Sequence, residues 1–352
     1  MIPPHQFGFR PKLNTSLQLL RVVEIIAGAI SNGQSAGLVL FDVSKAFDRV
    51  YSVALLYKLI CHQFPAAYIK LMHSFLNDRS FHVKYNNVHS NSFIINAGVP
   101  QGSILSPLLF NIFTSDFPTT PLTHTALYAD DTAILAVDKN LPDLALALQK
   151  HISLIEQWCS QWKVKLNIAK TNAILCSFSR KIPPPLFLHN EQINYSPSVK
   201  YLGIIIDRRL TWGPHLKAVL QKMHLIKSKL APLLYSKNVS LSNKRLLYLT
   251  ILRPMLLYAS PVWGAVAPTR LIRVQQFENK TLRGFARVGR FVRNSIIQND
   301  LRISPLTTQL RTNASKFFSK IPKINNKLLN DIPTYDPSLR KNRRRPRAAL
   351  AV

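Results

Sequence analysis

Tyr128-Ala129-Asp130-Asp131 puts two carboxylates side by side in an otherwise apolar stretch, with TALYA before them and TAILAV after. Two short β-type runs separated only by this pair read as a tight hairpin. Aspartate at a turn has an ordinary role, bonding its own backbone. Here both flanking strands are apolar enough to lie in a buried sheet. The tip then holds two like charges beside a core, and each raises the cost of ionising the other. A divalent cation removes that conflict. A third carboxylate, Asp42, leaves another apolar run of strand type, GLVLFDV over 37–43. If the two strands are neighbours, Asp42, Asp130 and Asp131 converge on one sheet edge. Hard oxygen ligands of this kind suit Mg²⁺, which keeps waters and takes its remaining ligands from substrate phosphates. Two such ions about 3.5–4 Å apart would activate a 3′-hydroxyl and stabilise a leaving pyrophosphate during in-line phosphoryl transfer.

The bulk charge makes such a cluster conspicuous. The 352 residues carry 46 Lys plus Arg against 16 Asp plus Glu, a net charge of +30. A compact fold gains nothing from that self-repulsion, which points to a polyanionic partner. The basic residues run through helical segments as well as the tail, which favours nucleic acid over an anionic membrane surface. Cys61, Cys159 and Cys176 stand far apart with no paired spacing, arguing against a zinc site and a disulfide framework. No apolar run reaches membrane-spanning length, and MIPPHQFGFRPK does not read as a signal peptide. The expectation is a soluble intracellular protein of nucleus and cytoplasm.

The elements that must position the acids can be read from the periodicity. Thr15 and Gln18 form a capping box for a helix over 17–30, and a second helix covers 52–62. Residues 98–117 begin as a loop and continue as an apolar helix. Asp143 caps a long helix with Leu148, Ile152, Ile155, Cys159 and Trp162 on one face, which makes Trp158 and Trp162 core residues. Strands are expected at 172–178 and 200–207, with a small hairpin at 186–194 between them. After Asp207 the pattern becomes helical and basic. Leu216, Val219, Met223, Ile226 and Leu230 form a stripe, a helix follows over 242–258 that Pro254 must kink or end, and another lies near 270–287. The end, LRKNRRRPRAALAV, reads as a disordered basic tail. Asp48 reads as structural, serving a helix N-terminus, and Asp116 and Asp138 as surface acids.

These residues carry a family resemblance. Phe41-Asp42-Val43-Ser44-Lys45-Ala46-Phe47-Asp48 resembles the first catalytic motif of reverse transcriptases. Ala97-Gly98-Val99-Pro100-Gln101-Gly102-Ser103, followed by Leu105-Ser106-Pro107, resembles the second, and Tyr128-Ala129-Asp130-Asp131 the third. Order and spacing are those of non-LTR (LINE-like, jockey-type) retrotransposon enzymes. His5-Gln6-Phe7-Gly8-Phe9-Arg10 is similar to a fingers motif of that family. Leu166-Asn167-Ile168-Ala169-Lys170-Thr171 and Lys200-Tyr201-Leu202-Gly203 are similar to its last two palm motifs. Residues 274–283 are similar to the region that follows the polymerase in jockey-like elements.

The resemblance implies an α+β right-hand polymerase: a fingers remnant over 1–36, a palm with an antiparallel sheet over 37–207, a helical basic thumb-like region over 208–335 and the tail over 336–352. It implies an RNA-directed DNA polymerase using two Mg²⁺ ions, with Mn²⁺ as a substitute, an RNA template, a DNA primer and dNTPs. Asp42, Asp130 and Asp131 would be catalytic and metal-binding, with Val43 beside them in the metal site. Phe47 would lie beneath the incoming sugar and exclude a 2′-hydroxyl. Gln101 and Gly102 would contact nucleotide and template, Lys170 the leaving pyrophosphate and Arg10 the triphosphate; a plain turn and solvated surface cations are the rival readings of these four. Two further fingers motifs precede this point in the family, so a chain truncated at its N-terminus is expected. The alternative function is a catalytically inactive relic that only binds nucleic acid.

Overall fold

The computed structural model describes residues 2–336, 339 and 342–351. Two compact units divide the chain. The first comprises residues up to Gln18, Ala36–Leu175 and Arg180–Ser196; the second comprises Leu19–Ser35, Cys176–Ser179 and everything from Pro197 onward. Helix α1 (Thr15–Ser31) begins in the first and continues in the second. Its start is not the expected box: Asn14 Oδ1 accepts the Leu17 N–H at 3.0 Å, the ordinary N-cap bond. Gln18 instead donates Nε2 to the Leu127 carbonyl at 2.9 Å.

The first unit holds the acids. In chain order it contains β1 (Ser35–Phe41), α2 (Ser52–Cys61), α3 (Ala66–Leu76), the short strands β2 (Arg79–Phe81), β3 (Lys84–Tyr85), β4 (Val88–His89) and β5 (Phe93–Ile95), then α4 (Ser106–Phe113). β6 (His124–Tyr128), β7 (Asp131–Asp138), α5 (Leu141–Gln161), β8 (Asn172–Cys176), β9 (Leu186–Leu188) and β10 (Glu191–Ile193) follow. The main sheet has the order β6-β7-β1-β8, so the strand that starts at Asp131 neighbours the strand that leads into Asp42. One continuous core lies against this sheet, with Leu148, Ile152, Ile155, Cys159 and Trp158 from α5 and Phe110 and Phe113 from α4. At Gly37 a Cβ would lie 2.7 Å from Leu144 and Leu148, so α5 packs directly on the β1 backbone. Asp143 is not the cap of α5; Asn140 occupies the N-cap, and Asp143 Oδ2 accepts its side-chain N–H at 2.7 Å.

Asp116 is more than a surface acid. Lys58, 4% exposed, donates Nζ to Asp116 Oδ1 at 2.6 Å and to the Phe113 carbonyl, and lies 4.0 Å from the Trp162 ring centroid. Trp158 Nε1 donates to the same Asp116 oxygen at 2.9 Å. A cation buried by α2 therefore finds its counter-charge on the loop after α4. Burial pushes the Lys58 ammonium down, and Asp116 opposes that shift.

In the second unit, β11 (Ser198–Tyr201) and β12 (Ile204–Asp207) form an antiparallel hairpin where one strand was expected over 200–207. The apolar run continues through both arms and hides the turn at Leu202-Gly203, whose φ values are 42° and 84°. The hairpin packs on the following helix and falls within the second compact unit. The helices are α6 (Gly213–Leu234), α7 (Leu241–Leu247), α8 (Arg253–Leu257), α9 (Ser260–Trp263), α10 (Pro268–Ala286), α11 (Asn294–Asp300), α12 (Leu306–Phe318) and α13 (Lys327–Asn330). Asp207 fixes the entry to α6: Oδ1 accepts the Trp212 N–H at 2.7 Å and Oδ2 the Thr211 N–H at 3.0 Å. The helix that Pro254 was expected to kink passes through a π-helical turn, Tyr248–Leu252, and resumes as α8 with proline in its first turn.

The tail is the largest departure. Pro346–Leu350 forms a 3₁₀ turn against α9 and α12, with Pro346, Ala348 and Ala349 buried. Arg345 reaches Glu24 of α1, Nη2 to Oε2 at 2.9 Å and Nε to Oε2 at 3.0 Å. Tyr335 donates its hydroxyl to the other oxygen of Glu24 at 2.5 Å. Composition pointed to disorder, but RPRAAL hides small apolar residues and one partnered arginine inside a run of positive charge. Pro337, Ser338, Arg340, Lys341 and Val352, which also fall within the expected tail, lie outside the described residues.

Candidate active site

The β6–β7 hairpin pairs Tyr128 with Asp131 across a turn of Ala129 and Asp130. Ala129 has φ 56°, a left-handed conformation that costs a residue with a Cβ about 1 kcal/mol. The N-terminal segment holds it there. Gln6, wholly buried, accepts the Ala129 N–H at 3.1 Å and the Gly8 N–H at 2.8 Å with its Oε1, while Nε2 donates to the Ala129 carbonyl at 3.5 Å. The Phe7 N–H donates to Leu127 O at 2.9 Å and the Leu127 N–H to His5 O at 3.0 Å, adding a fifth extended segment beside β6. A Cβ at Gly8 would sit 2.2 Å from the Ala129 nitrogen, so a side chain there would displace the turn. Asn111, also wholly buried, donates Nδ2 to Gly8 O at 3.1 Å.

His5-Gln6-Phe7-Gly8 therefore acts as a brace on the Ala129-Asp130 turn, packed into the unit that carries the sheet. Sequence reasoning missed Gln6 and Asn111. Both are uncharged amides inside apolar surroundings, and the available signal was the unexplained polarity of Asn111 within the otherwise apolar LLFNIF.

Asp42 follows β1 directly, and its loop is laced to the loop before β8. The Asn167 N–H donates to Asp42 O at 2.8 Å, the Ser44 N–H to Lys165 O at 3.1 Å, and Val43 forms an antiparallel bridge with Leu166. This lacing brings Lys170 Nζ to 3.6 Å from Asp42 Oδ2. The three acids stand within electrostatic reach of one another. Burial pushes the Asp131 carboxyl up to about 6, and the charges of Asp130 and Asp42 push in the same direction. Among the described residues no three His, Cys, Asp or Glu side chains are already disposed to hold a metal ion. The donor set nevertheless fits one: hard oxygens, like-charged and facing solvent, whose repulsion a divalent cation would relieve.

The other expected residues divide. Phe47 stacks on Phe110 with centroids 4.8 Å apart at 15° and meets Phe9 edge-on at 5.8 Å, which fixes its ring plane. Gln101 and Gly102 lie exposed on the loop before α4, and Gly102 has φ 89°. Asp48 stands in the first turn of a short 3₁₀ helix, Phe47–Arg49, as expected, and its Oδ1 also accepts Gln101 Nε2 at 2.8 Å. Arg10 is tied to its own motif, Nη1 donating to Pro3 O at 3.1 Å and Gln6 O at 3.4 Å, and is not brought to the three acids.

Similarity to known proteins runs along nearly the whole chain. Residues 1–206 match the family model described as reverse transcriptase (RNA-dependent DNA polymerase). The chain is 32% identical over 351 residues to the probable RNA-directed DNA polymerase from transposon X-element of Drosophila melanogaster, covering 98% of this chain and 38% of that protein. It is 34% identical over 357 residues to the RNA-directed DNA polymerase from mobile element jockey of the same species, covering 97% and 39%. It thus spans less than two fifths of either relative. Among solved structures, telomerase from Candida tropicalis aligns over 94% of this chain and 54% of that one, with TM-score 0.43 and 15% identity, a likeness too slight to carry an argument.

Proposed function

The chain belongs to the reverse transcriptase (RNA-dependent DNA polymerase) family, and from that premise we propose that it is the palm-and-thumb part of a non-LTR, jockey-type retrotransposon polymerase, adding deoxynucleotides to a DNA primer on an RNA template. The observation that carries this reading is the meeting of Asp42, Asp130 and Asp131 at neighbouring strands of one buried sheet, with the Asp131 carboxyl raised by burial and then by the charges of the other two. Two Mg²⁺ ions, or Mn²⁺ in their place, would be held by these carboxylates beside Val43 and would supply activation of the primer 3′-hydroxyl and charge stabilisation at the leaving pyrophosphate.

The chain's own side chains supply the positioning. Phe47, fixed between Phe110 and Phe9, offers a rigid surface beneath the sugar that has no room to yield to a 2′-hydroxyl. Lys170 is paired with Asp42 yet 68% exposed, so its ammonium is free to follow negative charge building on the pyrophosphate. Gly102 lets the backbone approach template or nucleotide without a side chain in the way. The basic helices of the second unit would grip primer–template through phosphates, giving affinity without sequence preference.

Primer extension on an RNA template with a DNA primer, with Mg²⁺ and with chelator, tests the reading. Extension should require the metal and fall to background in Asp130→Asn, while binding of primer–template stays within twofold or so of wild type. Binding without extension in the wild-type chain would replace this reading with that of a relic that holds nucleic acid and turns nothing over.

A further inference from the structure

Four arginines fall within residues 283–293, RGFARVGRFVR, and no acid interrupts them. The first is spent inside the fold. The Val292 N–H donates to Gly289 O at 3.3 Å, closing a four-residue turn with Arg290 and Phe291 at its centre. Arg283, half-buried near the end of α10, grips both ends of that turn. Its Nη1 donates to Gly289 O at 2.5 Å and its Nη2 to Val292 O at 2.7 Å. The same Nη2 donates to Asn294 Oδ1 at 2.8 Å, tying the turn to the start of α11. Arg287 caps α10 with φ 57° and donates Nη2 to Tyr235 O at 2.7 Å. The backbone that carries Arg290 and Phe291 is therefore fixed from both sides.

The turn so held leaves Phe291 88% exposed. A lone exposed apolar side chain is ordinary and by itself points to nothing. Here the ring stands on a braced turn, with the Arg290 guanidinium 5.0 Å from its centroid and Arg293 two residues on. Neither Arg290 nor Arg293 joins an ion pair among the described residues. An open aromatic face flanked by unspent arginines suits a nucleobase and its neighbouring phosphates. The bracing means that little ordering remains to be done when such a ligand arrives. A duplex offers this site no base face, because its bases already stack on one another. An anionic membrane would take the same charges, but anchoring there grows with apolar area, and Val288 and Val292 beside the ring are half-buried.

We propose that the 289–292 turn is a binding site for unpaired RNA, with Phe291 stacked on a base and Arg290 and Arg293 on the flanking phosphates. It differs from the phosphate grip of the basic helices in selecting a single strand over a duplex. The choice of RNA rests on the polymerase reading, in which the template is the strand with unpaired bases. The stacking chemistry does not depend on it.

The test is fluorescence anisotropy of the full chain with a short labelled RNA that cannot self-pair, over a range of salt. An RNA–DNA duplex, the matching single-stranded DNA and phosphatidylserine vesicles run in parallel. Phe291→Ala should weaken single-stranded RNA about tenfold, the scale of one stacked base, and leave the duplex within about twofold. Because no charge is removed, the slope of log K against log salt should not change. Phe291→Trp should bind as the wild type does. Arg290→Gln should instead make that slope shallower by about 0.7, the loss of one phosphate contact. Unaltered RNA binding in Phe291→Ala, an equal loss on the duplex, or a loss confined to DNA or to vesicles overturns the proposal. A wild type that extends no primer, with the Phe291 effect on RNA intact, counts against the polymerase reading and supports the site. Normal extension with no Phe291 effect does the reverse.

Discussion

Two groups of carboxylates, one in each unit, are treated in opposite ways. In the second unit Glu24 and Glu278 are buried and supplied. Glu24, 3% exposed, accepts from Tyr335 and Arg345, and the Arg345 guanidinium also lies 3.8 Å from the Tyr335 ring centroid. Glu278, wholly buried, accepts from the Tyr248 hydroxyl at 2.5 Å and from Gln275 Nε2 at 2.9 Å. In the first unit Asp42, Asp130 and Asp131 are gathered without being fully supplied: Lys170 stands 3.6 Å from one of them, and Asp131 is raised by burial and by its like-charged neighbours. The first arrangement is complete as it stands. The second leaves like charges crowded at one spot, a conflict that the proposed divalent cation would relieve.

Breaking the supplied carboxylates should therefore cost stability. The largest loss is expected from ending the chain after Leu339, which removes Arg345 and the buried Pro346, Ala348 and Ala349 together. An uncompensated Glu24 plus lost apolar burial should cost on the order of 5 kcal/mol or more. Thermal melts followed by circular dichroism should show the loss at low and high salt alike. A melting temperature unchanged by the truncation, with RNA binding weakened only at low salt, would return the tail to the role of a solvated basic arm.

Glu24→Ala should cost about 3–5 kcal/mol, because it strands a buried guanidinium. Burial still pushes the Glu24 carboxyl upward against its partners, so the pair is held at a desolvation cost. Glu24→Leu combined with Arg345→Met should then recover most of that loss in the same melt. A double variant as unstable as Glu24→Ala would mean that the ion pair itself, and not the stranded charge, carries the stability.

A smaller effect should appear with pH. His215, 3% exposed, accepts the Ile205 N–H on Nδ1 at 3.4 Å, and burial pushes its imidazole down to about 4 from an ordinary 6.5. The folded state holds it neutral where the unfolded chain protonates it. Stability is therefore fully present above pH 6.5 and lost as pH falls toward 4, by roughly 3 kcal/mol in all. Denaturant titrations at several pH values should show this fall, and His215→Gln should flatten it.

The adjacency of the three acids was legible because chemistry restricts such residues. Two adjacent aspartates between apolar strands have few uses, and the strand adjacency that brings Asp42 to them follows from burying both strands in one sheet. The α5 stripe and the 186–194 hairpin were legible for the same reason, since apolar periodicity and turn spacing are local. What was hidden depended on contacts distant in sequence. Gln6 bonds Ala129 across 123 residues and Arg345 meets Glu24 across 321, and no local pattern marks either partner. The β11–β12 turn failed differently: KYLGIIID is apolar on both sides, and a glycine at positive φ looks no different in sequence from one within a strand.

The gentlest prediction bears most directly on the comparison. At neutral pH the fold holds Asp131 ionised although burial, and then the charges of Asp130 and Asp42, raise its carboxyl to about 6, so its ionised form opposes folding. Because Asp131 is exposed, solvent screens much of that repulsion, and Asp131→Asn should stabilise the metal-free chain by only about 0.5–1 kcal/mol. Millimolar Mg²⁺ should raise the melting temperature of the wild type, as any ligand of the folded state does, and leave Asp131→Asn nearly unmoved. Substituting a supplied carboxylate and substituting an unsupplied one would then shift stability in opposite directions. If Asp131→Asn instead destabilises the metal-free chain, Asp131 has an internal partner after all, and its position beside the other two acids is a matter of folding, not of metal.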